Sequence, residues 1–185
     1  MIDVAENLWD SAFDFKRVVW PAIQVIFPGA YVVTTEGERG DAAEVVDQVG
    51  GIDLWLVRDG TRLQGIASRL QYREVWESFT IRARTAAGNI SELDKKMAAL
   101  RDRDEHFVVP NYTVQAYVER RRTGDLLLAI MIKTEDLFSF IEARPDLVQR
   151  RKNPADGSEF VVVWADDLRR AGVKVWNFAG RDVVE

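Results

Sequence analysis

The chain has 185 residues, with 25 Lys and Arg against 30 Asp and Glu, a formal net charge of −5 and a pI near 5.1. It holds no Cys and one His, which excludes disulfides, thiolate zinc centres and any site or mechanism that needs two His from one subunit. The acidic balance argues against indiscriminate coating of nucleic acid but leaves room for a local basic patch.

At 47% hydrophobic and 30% charged residues, the composition suits one soluble domain over 1–185. No apolar run reaches the roughly 18–20 residues that span a bilayer. The acidic start, MIDVAENLWD, lacks the basic-then-apolar pattern of a signal peptide. The expectation is a full-length cytoplasmic protein with no membrane partner.

In chain order, apolar residues at three-to-four spacing predict a first helix over Ala5 to Phe27, kinked or split at Pro21 and ended by Pro28-Gly29. Tyr31 to Thr35 reads as a β-branched strand, Glu36 to Gly40 as a turn, and Asp41 as the cap of a short helix to Val49. The stretch Ile52 to Gln71 predicts a hairpin turning at Arg58-Asp59-Gly60, since Asp-Gly between apolar runs favours a tight turn. Val75 to Arg84 follows as a strand, with Phe79 and Ile81 facing one way and Thr80, Arg82 and Arg84 the other.

A helix is expected over Ser91 to Arg103, strands at Val108–Val109 and Thr113 to Glu119, a turn at Arg120 to Gly124, and a well-covered strand over Leu126 to Lys133. Thr134 is placed to cap the next helix, with Glu135 and Asp136 suiting its positive end, and Pro145 stops it. Arg150 to Ser158 reads as an exposed loop, Glu159 to Trp164 as a strand, Ala165 to Ala171 as a helix and Val173 to Phe178 as a last strand. The order predicts an α/β fold with a single mixed β-sheet flanked by helices.

The strand carrying Asp53, the turn, and the following strand ending Gly65-Ile66-Ala67-Ser68-Arg69 resemble the core hairpin of the PD-(D/E)XK nuclease superfamily, in particular of archaeal-type Holliday junction resolvases. The resemblance implies a restriction-endonuclease-like fold. The family's Asp falls on Asp53, its metal-binding Glu on Gly65 and its Lys on Ala67. Shifted by one residue, Gln64 takes the Glu position. Neither register supplies the standard acid-and-lysine centre, because Gly and Ala offer no ligand or base and an amide oxygen is a weak one for Mg²⁺.

By strand alternation Gly65, Ala67, Arg69 and Gln71 share a face, the small residues leaving room there. Thr80, Arg82 and Arg84 join them if the next strand pairs alongside. Guanidinium forks suit phosphate oxygens. The main reading is therefore a DNA-binding protein on a nuclease-like frame, catalytically degenerate or non-standard; the resemblance alone implies a bacterial or phage setting in genome defence, counter-defence or mobile-element maintenance. Its nucleic-acid-binding set is Arg69, Gln71, Thr80, Arg82 and Arg84.

Two further readings stay open. One is an active Mg²⁺-dependent endonuclease using Asp53, Gln64 and Lys133, with Asp53 and Glu36 on the metal. The other is a protein-binding inhibitor module, and a homodimer is compatible with any of them. The bland alternatives are a strand-end or turn-capping role for Asp53, ion pairs for the arginines, a helix-edge place for Lys133 and a surface place for His106. Arg120 to Arg122 and Arg150 to Lys152 read as solvated turn charges, with contact to a phosphate backbone open to either run. The six Trp read as core.

Overall fold

A computed structural model of the chain describes residues 10–34, 51–84, 91–102, 109–154, 157–179 and 182–184. The predicted turn at Glu36, the helix over 41–49 and His106 lie outside them.

The first helix, α1, covers 10–26. It widens to a π turn at Phe15–Val19, resumes as α-helix at Trp20–Ile23 and tightens at Gln24–Ile26. The Trp20 N–H donates to the Phe15 carbonyl. Pro21, which has no N–H to give, follows directly, so the expected irregularity takes the form of a π turn.

Strands β1 (Tyr31–Thr34), β2 (Leu54–Arg58), β3 (Arg62–Tyr72), β5 (Tyr112–Val118), β6 (Leu126–Lys133), β9 (Trp176–Ala179) and β10 (Asp182–Val184) form one seven-stranded sheet, in the order β1-β2-β3-β5-β6-β9-β10. The β2–β3 hairpin turns where expected. Asp59 and Gly60 both take positive φ (53° and 66°), and the Thr61 N–H closes on the Arg58 carbonyl. β3 is 11 residues long. Its first half pairs antiparallel with β2, and from Ile66 onward it pairs parallel with β5.

One face of this sheet buries Leu54, Leu56, Ile66, Val114, Ala116 and Met131 against Phe15, Val19, Ile23 and Phe27. The chain is thus α/β, but it holds two sheets where a single one was expected. β4 (Ser78–Arg84), β8 (Glu159–Trp164) and β7 (Gln149–Lys152) form a separate three-stranded sheet in the order β4-β8-β7. One side of it, with Phe79, Ile81, Val161 and Val163, packs with Ile130 and Ile132 and with three helices: α2 (Glu92–Asp102), α3 (Thr134–Ala143) and α4 (Ala165–Arg170). β7 occupies part of the expected loop from Arg150. Its four residues, Gln-Arg-Arg-Lys, are all exposed, and pairing with β8 alone makes them a strand.

α3 also departs from expectation. Thr134 does not cap. It is the first helical residue, fully buried, with its hydroxyl 2.9 Å from that of Thr113 and its N–H on the Asn111 carbonyl. Among the described residues no helix is long and apolar enough to cross a membrane.

Candidate functional site

β4 is an edge strand of its sheet, and its edge abuts the face of the larger sheet. An unpaired strand edge needs partners for its amides, and here three side chains supply them. The Tyr117 hydroxyl accepts from the Ser78 N–H (3.0 Å) and donates to the Ser78 carbonyl (2.9 Å). Gln115 Oε1 accepts from the Thr80 hydroxyl (3.0 Å) and its N–H (3.4 Å). Glu92 Oε2 accepts from the Arg82 N–H (3.3 Å). Burial pushes the Tyr117 phenol above its ordinary value, against the pull of its Ser78 hydrogen bonds, so it keeps the proton it donates.

Held edge-on, the small sheet meets the outer half of β3 at a corner, leaving a cleft of about 290 Å³. Arg69, Leu70 and Gln71 form the β3 wall. Ser78 and Thr80 of β4, Phe160 and Val162 of β8, and Arg151 of β7 form the other, with Trp76 at one end. Strand register puts these on one face, since Thr80 pairs with Val162, Arg82 with Phe160 and Arg151 with Phe160. The guanidinium carbons of Arg69 and Arg82 lie 5.2 and 5.8 Å from the Phe160 ring centroid. Arg151 lies 5.0 Å from the Trp76 ring and 5.8 Å from Trp164, and those two indoles are stacked with centroids 6.5 Å apart. The result is a basic, aromatic concavity on an acidic protein.

Glu92 steadies the cleft from behind. It takes Arg69 at 3.2 Å and Lys96, only 5% exposed, at 2.8 Å. Burial alone would push this carboxyl up. The attraction of Lys96 and Arg69 outweighs it, with hydrogen bonds from Lys96 and the Arg82 N–H, and holds the group at about 2 instead of 4.5. Gln115 is the cross-strand neighbour of Arg69. Its Nε2 is a buried donor that finds no acceptor among the described residues.

The position that aligns with the family's Glu is crowded. A Cβ on Gly65 would fall 2.8 Å from Ile52 Cδ1 and 3.2 Å from Pro110 Cα, so a larger side chain must displace the end of Ile52 and press on the Pro110 backbone, and little room is left for a ligand. This corrects the expectation of open space there. Gly65 also exchanges hydrogen bonds with Asn111, its N–H to Oδ1 and its carbonyl from the Asn111 N–H, both 2.8 Å. Ala67 is buried at 5% exposure. Asp53 accepts the Ser68 N–H through Oδ2 at 2.5 Å, while its own N–H donates to the Ile66 carbonyl. The carboxylate thereby extends the β2–β3 ladder by one rung.

Of the residues singled out in the sequence, Arg69, Gln71 and Thr80 line the cleft and Arg82 joins it over Phe160. They come from two sheets, not from paired neighbours as expected. Arg84 lies further along β4, exposed, 3.9 Å from Glu159. Gln64 pairs with Leu56 on the α1 side of the sheet, the opposite face from Asp53. Lys133 ends β6 opposite Tyr112 and is exposed. Alternation with Met131 puts it on the α1 side too. Glu36 lies outside the described residues. Among those described, no three acidic, His or Cys side chains gather where a metal ion could be held.

Sequence reasoning missed Phe160, placed Trp76 and Trp164 in the core, and left Arg151 in a run of turn charges open to a phosphate contact. The alternation of Phe160, Val162 and Trp164 on β8 was the available signal. Compared with protein-family models, with curated proteins and with solved structures, the chain matches none.

Proposed function

We propose that this chain is a nucleic-acid-binding protein on a PD-(D/E)XK-like frame, and that the corner cleft is its binding face. One observation carries the reading. Arg69 and Gln71 from one sheet and Thr80, Arg82 and Arg151 from the other converge on a single concavity. Guanidinium groups in a recess suit phosphate oxygens, and the net charge of −5 confines attraction for polyanions to such a patch. Support for the frame comes from the Asp53-bearing hairpin, the central strand β6 running into α3, and α1 across one face.

The closed position at Gly65 and the backbone duty of Asp53 favour binding without the family's cleavage chemistry. The test is fluorescence anisotropy with labelled duplex and single-stranded oligonucleotides at low salt. Wild-type protein binds at least one of them, and affinity falls as salt rises. The double variant Arg69→Ala/Arg82→Ala loses roughly tenfold or more in affinity, compared at a temperature well below both melting points because Arg69→Ala also takes an ion-pair partner from Glu92. Absence of binding to any oligonucleotide at low salt refutes the reading.

A further inference from the structure

We infer that the corner cleft receives unpaired bases, so that its ligand is a single-stranded nucleic acid and not a duplex. The inference rests on the reading above and adds the form of the ligand. A site made only for phosphates needs donors, yet this one has Phe160 and Val162 in its floor and Trp76, 37% exposed, at its end. These surfaces gain nothing from a phosphate and much from the flat face of a base.

Each of these two rings is also coupled to a guanidinium. Phe160 lies beneath Arg69 and Arg82 and Trp76 beside Arg151. A base can stack on either plane, and the guanidinium N–H groups not taken by Glu92 and Gln149 can donate to the phosphates before and after it. Gln71 and Thr80 add side-chain hydrogen-bonding groups at the wall, where a base edge would lie. A space of about 290 Å³ is at the lower limit of ligand pockets, roughly 300 Å³. A recess of this size matches one base turned out of a strand better than the edge of a duplex.

The experiment compares four labelled ligands by anisotropy at one low salt concentration: a thymidine oligonucleotide, the uridine equivalent, an abasic strand of equal length and charge, and a duplex. Expected is tighter binding of the thymidine or uridine strand than of the abasic strand, by roughly tenfold. Phe160→Leu and, separately, the exposed Trp76→Leu bring the ratio of thymidine to abasic affinity close to one, and that ratio is the readout because the same rings also seat the guanidiniums of Arg69, Arg82 and Arg151. If the half-buried Phe160 does not tolerate the change, the Trp76 variant carries the test alone. Abasic binding as tight as thymidine, or tighter duplex binding, overturns the inference while the proposed function stands. Absence of binding to all four overturns both.

Discussion

Glu92→Gln removes the charge that Arg69 and Lys96 share and keeps the shape. The folded-state carboxyl sits at about 2 against 4.5 for the free group. That difference corresponds to about 3 kcal/mol at pH 7. The side chain keeps 30% of its surface in water, and screening there cuts the expected figure to about 2 kcal/mol. The folded value is depressed, so the contribution is fully present above about pH 4.5 and is lost as pH falls towards 2. Urea unfolding of both proteins, followed by tryptophan fluorescence, reads the difference. Glu92→Gln is expected to be about 2 kcal/mol less stable at pH 7, with the gap shrinking below half by about pH 3. A gap that stays constant between these pH values, or one below about 0.5 kcal/mol at pH 7, refutes the argument that the ion cluster is what Glu92 contributes.

Three further outcomes are expected. Gly65→Glu, which puts an acid where PD-(D/E)XK nucleases carry one, forces a side chain into Ile52 and Pro110. It costs about 3 kcal/mol in urea unfolding, and a plasmid incubated with the variant and Mg²⁺ stays uncut. Tyr117→Phe leaves the N–H and carbonyl of buried Ser78 without their partner. It costs about 2 kcal/mol and weakens oligonucleotide binding because β4 is no longer held at the corner. Asp14→Ala deletes a fully buried carboxylate that takes Arg17, the Tyr72 hydroxyl and the Arg122 N–H. A loss of about 3 kcal/mol follows, readable as a fall in melting temperature with affinity for oligonucleotides unchanged.

Much of the fold was legible because local signals were strong. The Asp59-Gly60 turn sits between apolar runs, Leu126 to Lys133 is an apolar strand, and Ser91 caps α2 by accepting the Asp94 N–H at 3.1 Å. The split into two sheets was not legible. β4 pairs with β8, far along the chain, and its alternation alone cannot say whether Thr80 and Arg82 lie beside β3 or across from it. β7 carries no apolar residue and so has no periodicity to read. The arginines were found because they stood near the family's motif. Their aromatic partners were assigned to the core because exposed and buried rings look alike in sequence. That Gly65 is filled by Ile52 and Pro110 depends on a close approach that only coordinates reveal.

The walls of the cleft are drawn from 69–80 and from 151–162, and between them β3 must find β5 in the parallel pairing that closes a long loop. Such non-local closures come late in folding. A chain still emerging during synthesis therefore has no cleft until β8 has been made and docked. Recognition of a strand would belong to the finished molecule alone, and unfinished copies would be silent towards the ligand.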